Sequence, residues 1–132
     1  MGHFVEFQDV CKYYTMGEQR ITAADHITFT IEQGEFTIIV GPSGAGKTTV
    51  LNMLGGMDTC DEGSIRLDGR EISRYTRRQL TEYRRYDVGF VFQFYNLVQN
   101  LTALENVELA AEICREPLDA RETLAHVGLE DR

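Results

Sequence analysis

The 132-residue sequence predicts an α/β fold in which an antiparallel β layer precedes a buried strand, a glycine-rich loop and a helix. Residues 3–8 alternate apolar and polar side chains, and residues 27–31 repeat that period, which is typical of half-buried strands. An apolar run at 36–40 then leads directly into GPSGAGKT at 41–48. The first pattern predicts the β layer, and the second predicts a core built from alternating strands and helices.

The predicted β layer contains two strands and a connection between them. Segment 13–19, YYTMGEQ, lies between the strands, and its glycine and polar residues predict a turn-rich, partly aromatic connection. Gly34 follows the second strand, and the run at 36–40 is predicted to be a buried core strand.

The loop at 41–48 fits G-x-x-x-x-G-K-[ST], the spacing of a loop that binds nucleotide phosphates. Small residues let successive backbone N–H groups converge on one anion. We expect the Lys47 ammonium to contact the β and γ phosphates, and the Thr48 hydroxyl to coordinate Mg²⁺, which prefers oxygen ligands. The predicted nucleotide-binding residues of this segment are Gly41, Pro42, Ser43, Gly44, Ala45, Gly46, Lys47, Thr48 and Thr49.

The context of the loop favours phosphate binding over an accidental glycine-rich turn. A strand-like run precedes it, and residues 50–54 give the following helix an apolar face that ends at Gly55 and Gly56. After that helix the sequence predicts a strand at 64–67, closed by a turn at Asp68-Gly69, and then a helix that Thr76 and Gln79 open and that runs through Arg85. A buried strand is predicted at 88–92. Two further helices follow: one is opened by Thr102 and Glu105 and ended by Pro117, and the last spans 118–127 and is closed by Gly128.

Composition restricts the function classes. The net charge of −8 argues against attraction to nucleic acid, so the arginine- and tyrosine-rich segment 74–86 is interpreted as a solvated helix rather than a nucleic-acid surface. No apolar run approaches the roughly 18 residues needed to span a bilayer, and no secretory signal is visible, so we expect no direct membrane insertion. Cys11, Cys60 and Cys114 lie far apart in sequence and suggest neither a disulfide framework nor a zinc site.

Two further segments resemble one family, the ATP-binding subunits of ABC transporters. GMDTCDEGSIRLDG at 56–69 is similar to the family's connection G-x-D-x-P-T-x-G-x-I-x-x-x-G without its proline, and YDVGFVFQFYNLVQNLTALENV at 86–107 resembles the family's Q-loop region. The sequence of the second segment is most similar to the branch of the family that serves lipoprotein release, macrolide efflux and cell-division-like complexes. The resemblance implies a P-loop NTPase core with an N-terminal antiparallel β subdomain and the start of a helical subdomain.

The resemblance also implies roles for two residues outside the phosphate loop. Gln93 matches the Q-loop glutamine, whose amide oxygen reaches Mg²⁺ or the attacking water, so Gln93 and Lys47 are the predicted catalytic residues, and Gln93 and Thr48 the predicted metal ligands. Tyr14 matches the aromatic residue that stacks on adenine, with Tyr13 as a neighbouring alternative. On physical grounds alone, a glutamine after a buried strand more often forms a hydrogen bond at the strand end.

The family completes its chemistry with an LSGGQ-like signature, a strand ending in Asp-Glu and a switch histidine, and none of these occurs in the 132 residues. The resemblance therefore implies the N-terminal part of a cassette, with the β subdomain and phosphate loop at 1–92 and the Q-loop and partial helical subdomain at 93–132. A cradle without the general base is expected to bind ATP and Mg²⁺ far better than it hydrolyses ATP.

The resemblance implies a subunit that binds and hydrolyses ATP together with a second, head-to-tail ATP-binding subunit. It would drive a transmembrane permease from the cytoplasmic face of the cell membrane. Two alternatives stay open at this point: an ATP-responsive module without turnover, and another P-loop NTPase such as a small kinase or GTPase. The sequence contains no N-K-x-D segment that would read guanine, which disfavours the GTPase.

Overall fold

The computed structural model describes residues 3–42, 44, 46–92, 97–129 and 131. Contacts divide the chain into two compact units, Met1–Arg84 and Arg85–Arg132, which are described separately below. The division predicted from the resemblance, at 92/93, concerns the subdomains of a whole cassette and stays a prediction.

The first unit contains a four-stranded antiparallel sheet in the order β2-β1-β3-β4. Its strands are β1 (Val5–Met16), β2 (Gln19–Ile31), β3 (Glu62–Leu67) and β4 (Arg70–Glu71). The alternation predicted from the sequence is visible in β1, where Val5 and Phe7 are buried and Gln8 is exposed. The Phe7 ring stacks on Phe29 of β2 with centroids 4.5 Å apart, so the two predicted strands share one apolar face.

The connection predicted at 13–19 is shorter than expected. Residues 13–16 belong to β1, and only Gly17 and Glu18 form the turn, with Gly17 at φ 64°. The prediction was wrong for these four residues and for Gln19, the first residue of β2, because the cross-strand pairs from Tyr13↔Thr22 to Met16↔Gln19 extend the hairpin to its tip. The local turn residues did not reveal that pairing.

The predicted buried strands at 36–40 and 88–92 are not strands in the structure. Phe36 is 90% exposed, Val40 is 83% exposed and Val91 is fully exposed. A strand exists only where a neighbour satisfies its backbone N–H and C=O groups, and within the described ranges neither segment is paired in a sheet. Apolar composition indicates what a segment would bury, but a partner is needed to make it a strand.

The helices of the first unit follow their predicted signals more closely. Helix α1 (Lys47–Leu54) buries Val50 and Met53, and its C-cap is Gly55. A short 3₁₀ turn (Ile72–Arg74) precedes helix α2 (Arg77–Tyr86), whose last two residues belong to the second unit. The predicted capping box of α2 is confirmed, because the Thr76 and Gln79 side chains each accept a hydrogen bond from the other residue's backbone N–H.

Helix α2 packs on the end of α1 through one tyrosine. Tyr83 is buried, and its hydroxyl donates to the Leu54 carbonyl oxygen at 2.6 Å. Gly56 lies under this ring, because a Cβ added there would stand 2.8 Å from a Tyr83 ring carbon. The glycine pair that ends α1 therefore also makes room for α2.

The second unit contains helices α3 (Ala103–Ala111) and α4 (Ala120–His126). The predicted Thr102–Glu105 capping box opens α3, and Asp119 caps α4 by accepting from the Glu122 N–H. Helix α3 ends well before Pro117, and α4 begins after Leu118, so both helices are shorter than predicted. No helix among the described residues has the length and apolar character that crossing a bilayer requires.

Candidate functional site

The glycine-rich loop has the backbone that its sequence predicts, in the part of it that the structure describes. Gly44 and Gly46 have φ of 83° and 90°, in the left-handed region that favours glycine. A Cβ added at Gly46 would stand 2.4 Å from the backbone oxygen of Ala23 in β2. Gly46 is therefore required twice, once by its backbone conformation and once by the close approach of β2. Ser43 and Ala45 lie outside the described residues.

The loop ends at an open helix N-terminus. Gly46 is the N-cap of α1, and among the described residues no side chain caps this helix. The first intrahelical bond runs from the Val50 N–H to the Gly46 oxygen at 3.0 Å, and the first turn contains no acidic residue. The first N–H groups of a helix and the positive end of its dipole attract an anion. The N-terminus of α1 is thus suited to a phosphate.

Lys47 places a positive charge at the same loop. Its ammonium donates to the carbonyl oxygen of Gly41, at the start of the loop. The Lys47 side chain therefore spans the loop from its last turn to its first residue. Thr48 beside it is exposed and Thr49 is partly buried. Of the predicted phosphate-binding residues that the structure describes, Lys47 and Gly41 are thus in direct contact, and Gly46, Thr48 and Thr49 lie at the start of α1.

An apolar cavity of about 390 Å³ lies beside the loop, but it does not suit a triphosphate. Its lining includes Ile27 and Phe29 of β2, Ile38, and Lys47 and Val50 of α1. A highly charged group loses its hydration in such surroundings without gaining hydrogen bonds. The loop amides and Lys47 are therefore better suited to a phosphate than this cavity is.

Tyr14 lies near the end of β1 and makes specific polar contacts. Its hydroxyl donates to an Asp58 carboxylate oxygen at 2.5 Å, and the Lys12 ammonium pairs with the other oxygen at 3.0 Å. The Lys12 nitrogen also lies 5.3 Å from the centre of the Tyr14 ring. The hydrogen bond to Asp58, followed by partial burial, raises the pKa of Tyr14 to about 12. These three side chains are called the Tyr14 cluster below.

Two opposing effects of its surroundings act on the pKa of the Asp58 carboxyl group. Burial by itself raises the pKa of the carboxyl group, but the hydrogen bonds from Tyr14 and Lys12 and from the Thr59 N–H outweigh burial and lower the pKa. Lys12 is only 8% exposed, so Asp58 is also the charge partner that makes burial of this ammonium tolerable. No role was predicted for Lys12 or Asp58 from the sequence, because the two residues are 46 positions apart and only the fold pairs them.

Tyr13, the alternative to Tyr14, is already engaged on its ring and its hydroxyl. The Arg20 guanidinium lies 3.6 Å from the centre of its ring, and the hydroxyl donates to Glu62. Hydrogen bonding to Glu62, and then to Cys11, raises the pKa of Tyr13 to about 12. Tyr14 is 41% exposed, which leaves more of its ring for a ligand. The geometry therefore favours Tyr14 over Tyr13 as a stacking residue.

The phosphate loop and the Tyr14 cluster are linked through the fold. Gly46 packs on Ala23, and the next residue, Ala24, pairs with Lys12 across the sheet. On the other side of the cluster, the Asp58 N–H donates to the Asn52 oxygen of α1 at 3.2 Å. Helix α1 thus begins at the loop and ends beside the residue that holds Tyr14. Gln93 lies outside the described residues, so its predicted role stays a prediction.

The structure brings together a second group of side chains that the sequence did not indicate. Cys11 of β1 and Asp25 and His26 of β2 each offer one potential metal ligand atom, and these atoms lie within 4.8 Å of one another. Sequence spacing suggested no zinc site, because the three cysteines lie far apart in sequence. Cys11 lies on β1 and His26 on β2, 15 positions further along the chain. Only the cross-strand register places them side by side.

Comparison with known proteins adds independent information. The sequence profile described as ABC transporter matches residues 24–132. An ABC transporter ATP-binding protein of Thermotoga maritima is 43% identical over 137 aligned residues, covering all of this chain and 58% of that protein. The lipoprotein-releasing system ATP-binding protein LolD of Syntrophotalea carbinolica is 39% identical, covering 97% of this chain and 59% of LolD.

A solved structure agrees with the fold. The dimeric ATP-binding cassette MJ0796 of Methanocaldococcus jannaschii, in a post-hydrolysis state bound to ADP and phosphate, superimposes with a TM-score of 0.86 and 40% identity. The match covers 97% of this chain and 59% of the cassette. The chain therefore spans less than two thirds of the length of each of these relatives.

Proposed function

Because the chain belongs to the ABC transporter family, we propose that it forms the nucleotide-binding part of an ATP-binding subunit that couples ATP binding and hydrolysis to a membrane partner. The observation that carries the proposal is the loop at 41–48, where left-handed glycines, the uncapped start of α1 and Lys47 converge. The dimeric cassette bound to ADP and phosphate supports the same assignment.

The described residues fit a Mg²⁺-triphosphate. The N–H groups of Lys47, Thr48 and Thr49 would hold phosphate oxygens, and the Lys47 ammonium would exchange its Gly41 partner for the β and γ phosphates. The exposed Thr48 hydroxyl would coordinate the ion. When bound, Mg²⁺ neutralises charge on the phosphates and orients them.

We propose that Tyr14 stacks on adenine, with Asp58 as a positioning residue. A ring held at its hydroxyl has less freedom to lose when a ligand stacks on it. The link from Asp58 to α1 also fixes the ring relative to the helix that begins at the phosphate loop. Stacking on adenine gives affinity with little discrimination by hydrogen bonding.

Hydrolysis is proposed for the whole subunit, with Gln93 contacting Mg²⁺ or the attacking water. The family's signature, Asp-Glu strand and switch histidine are not found in the 132 residues, and this chain spans 58% of its Thermotoga relative. We therefore expect the isolated chain to bind ATP with little turnover, because phosphoryl transfer requires the positioned base as well as the cradle. Nucleotide binding without phosphate release from the whole subunit would instead favour a non-catalytic, ATP-responsive module.

The proposed partners are a transmembrane permease and a second ATP-binding subunit arranged head to tail, at the cytoplasmic face of the cell membrane. The dimeric form of the similar cassette and the lipoprotein-releasing role in the name of LolD support this assembly. The net charge of −8 opposes direct attraction to anionic lipid, so association would occur through the permease.

The test is a titration of the chain with ATP in the presence of Mg²⁺, followed by calorimetry. We expect Lys47→Ala to reduce ATP affinity by at least about tenfold, because a charged hydrogen-bond donor to phosphate is lost. Arg121→Ala, which removes an exposed positive charge from α4, is the matched control and should bind ATP normally. Equal ATP affinity of the Lys47→Ala variant and the parent would refute the assignment of the loop.

A second titration tests the adenine contact. Tyr14→Ala should weaken ATP more than inorganic triphosphate, because the phosphate loop is unchanged. Loss of affinity for both ligands to the same degree would contradict stacking by Tyr14. Tight binding of GTP with rejection of ATP would revive the other P-loop NTPase classes.

A further inference from the structure

The β1–β2 ladder has an irregularity opposite Cys11. Val10 pairs with Ile27 and Lys12 pairs with Ala24, so one residue of β1 faces two residues of β2, Asp25 and His26. This arrangement is a β-bulge, which redirects side chains that would otherwise alternate between the two faces of a sheet. His26 has φ of 48°, a left-handed conformation in which histidine is enriched among non-glycine residues.

The bulge brings three different metal-ligating groups together. The His26 N–H donates to the Cys11 sulfur at 3.3 Å, which holds the thiol against the bulge. The His26 Nε2 atom lies 3.7 Å from an Asp25 carboxylate oxygen, and all three ligand atoms are within 4.8 Å of one another. Metal–ligand bonds of about 2.0–2.3 Å place the ligand atoms of a tetrahedral zinc ion about 3.3–3.8 Å apart.

We propose that Cys11, Asp25 and His26 form a binding site for a divalent transition-metal ion of the zinc class. Sulfur, imidazole nitrogen and carboxylate oxygen together match the ligand preferences of Zn²⁺ and Co²⁺, whereas Mg²⁺ and Ca²⁺ prefer oxygen alone. Three protein ligands leave a fourth position for water. The Cys11 thiol loses its proton to solvent when the sulfur–metal bond forms.

The required rearrangement is small and falls on exposed side chains. The side chains of His26 and Asp25 are 68% and 76% exposed, so they can turn about their own bonds without disturbing the core. The sulfur belongs to a fully buried residue and stays in place on β1. Closing the group from 4.8 Å to tetrahedral spacing therefore requires movement of about 1 Å by the two exposed ligands. The peptide N–H on the sulfur acts as the outer hydrogen-bond partner that bound thiolates commonly have.

The site is tested with Co²⁺ alone, because a cobalt–thiolate bond gives a near-ultraviolet absorption band that reports sulfur coordination directly. We expect the reduced chain to bind one Co²⁺ with this band, and Zn²⁺ to displace it. The decisive variant is His26→Asn, since asparagine tolerates the left-handed conformation and position 26 is exposed. It should bind Co²⁺ at least about tenfold more weakly, as loss of a ligand predicts.

Matched controls separate this site from other thiols and histidines. Cys114→Ser and His126→Asn alter an exposed cysteine and an exposed histidine of the second unit and should leave the band unchanged. Cys11→Ser should abolish the band, and circular dichroism will show whether that variant remains folded. A band of undiminished intensity in His26→Asn, or absence of the band from the parent chain, would overturn the proposal. Both outcomes are independent of nucleotide binding.

Discussion

The loop at 41–48 and the Tyr14 cluster show two different ways of building the two parts of the proposed nucleotide site. The loop is made mainly from backbone, with its glycines and the start of α1 supplying the shape and the donors. The Tyr14 cluster is made from side chains on β1 and on the segment after α1. A backbone device has a strict sequence pattern, whereas a side-chain device depends on which distant residues the fold brings together. The glycine pattern of the loop could therefore be recognised in the sequence, whereas the contacts of Tyr14 with Lys12 and Asp58 could not.

The largest expected effect comes from Gly46, where the backbone device is most restricted. In Gly46→Ala the new methyl group would meet the Ala23 oxygen at 2.4 Å and the left-handed φ would be strained, so we expect a loss of about 2–4 kcal/mol in unfolding free energy. ATP affinity should fall together with stability, because the start of α1 must move. Denaturant unfolding and an ATP titration measure both.

Gly44→Ala is the matched control for that change. Gly44 has a similar φ of 83°, but among the described residues no atom lies within 4 Å of its added Cβ. Only the strain of the left-handed conformation applies, so we expect a loss of about 1 kcal/mol. Equal destabilisation by the two substitutions would show that contact with β2 does not fix the loop.

The second effect concerns Asp58, the centre of the Tyr14 cluster. Asp58→Ala removes the partner of the buried Lys12 ammonium and of the Tyr14 hydroxyl, and we expect about 1–3 kcal/mol lower stability. ATP affinity should fall severalfold, whereas affinity for inorganic triphosphate should not change. Glu82→Ala, at an exposed carboxylate on α2, should alter neither. An Asp58→Ala chain that binds ATP and triphosphate like the parent would contradict a positioning role.

The sequence predicted local features of the elements better than it predicted which distant segments pair with one another. It predicted both capping boxes correctly, because each depends on residues within a few positions of one another. It was wrong about 36–40 and 88–92, because a strand needs a neighbour that local composition does not specify. Two contacts could not be predicted for the same reason, because long-range pairing brings their residues together: the Lys12–Asp58 ion pair and the hydrogen bond from the His26 N–H to the Cys11 sulfur.

The pH dependence of stability gives a third, smaller effect from the same carboxylate. The pKa of Asp58 is lowered in the folded chain from an ordinary value of 3.8. A lowered folded pKa contributes stability that is fully present above pH 3.8 and is lost as the pH falls through the folded pKa. We therefore expect the stability difference between the parent and Asp58→Asn to shrink below about pH 4. A difference that stays constant through this range in acid unfolding experiments would contradict the assigned contacts.

The smallest expected effect on ATP affinity distinguishes the Tyr14 ring, which would stack on adenine, from the hydrogen bond that holds this ring in position. Tyr14→Phe keeps the stacking surface and removes only the hydroxyl that donates to Asp58, so we expect a loss of ATP affinity of about two- to fivefold, the size of one net hydrogen bond or less. The double variant with Asp58→Asn should lose little more than the larger single change, since both substitutions break the same bond. Calorimetry on the four proteins measures the coupling. If the losses of ATP binding free energy were fully additive, Asp58 would affect ATP binding independently of Tyr14. The two residues would then make separate contributions and would not act as one cluster.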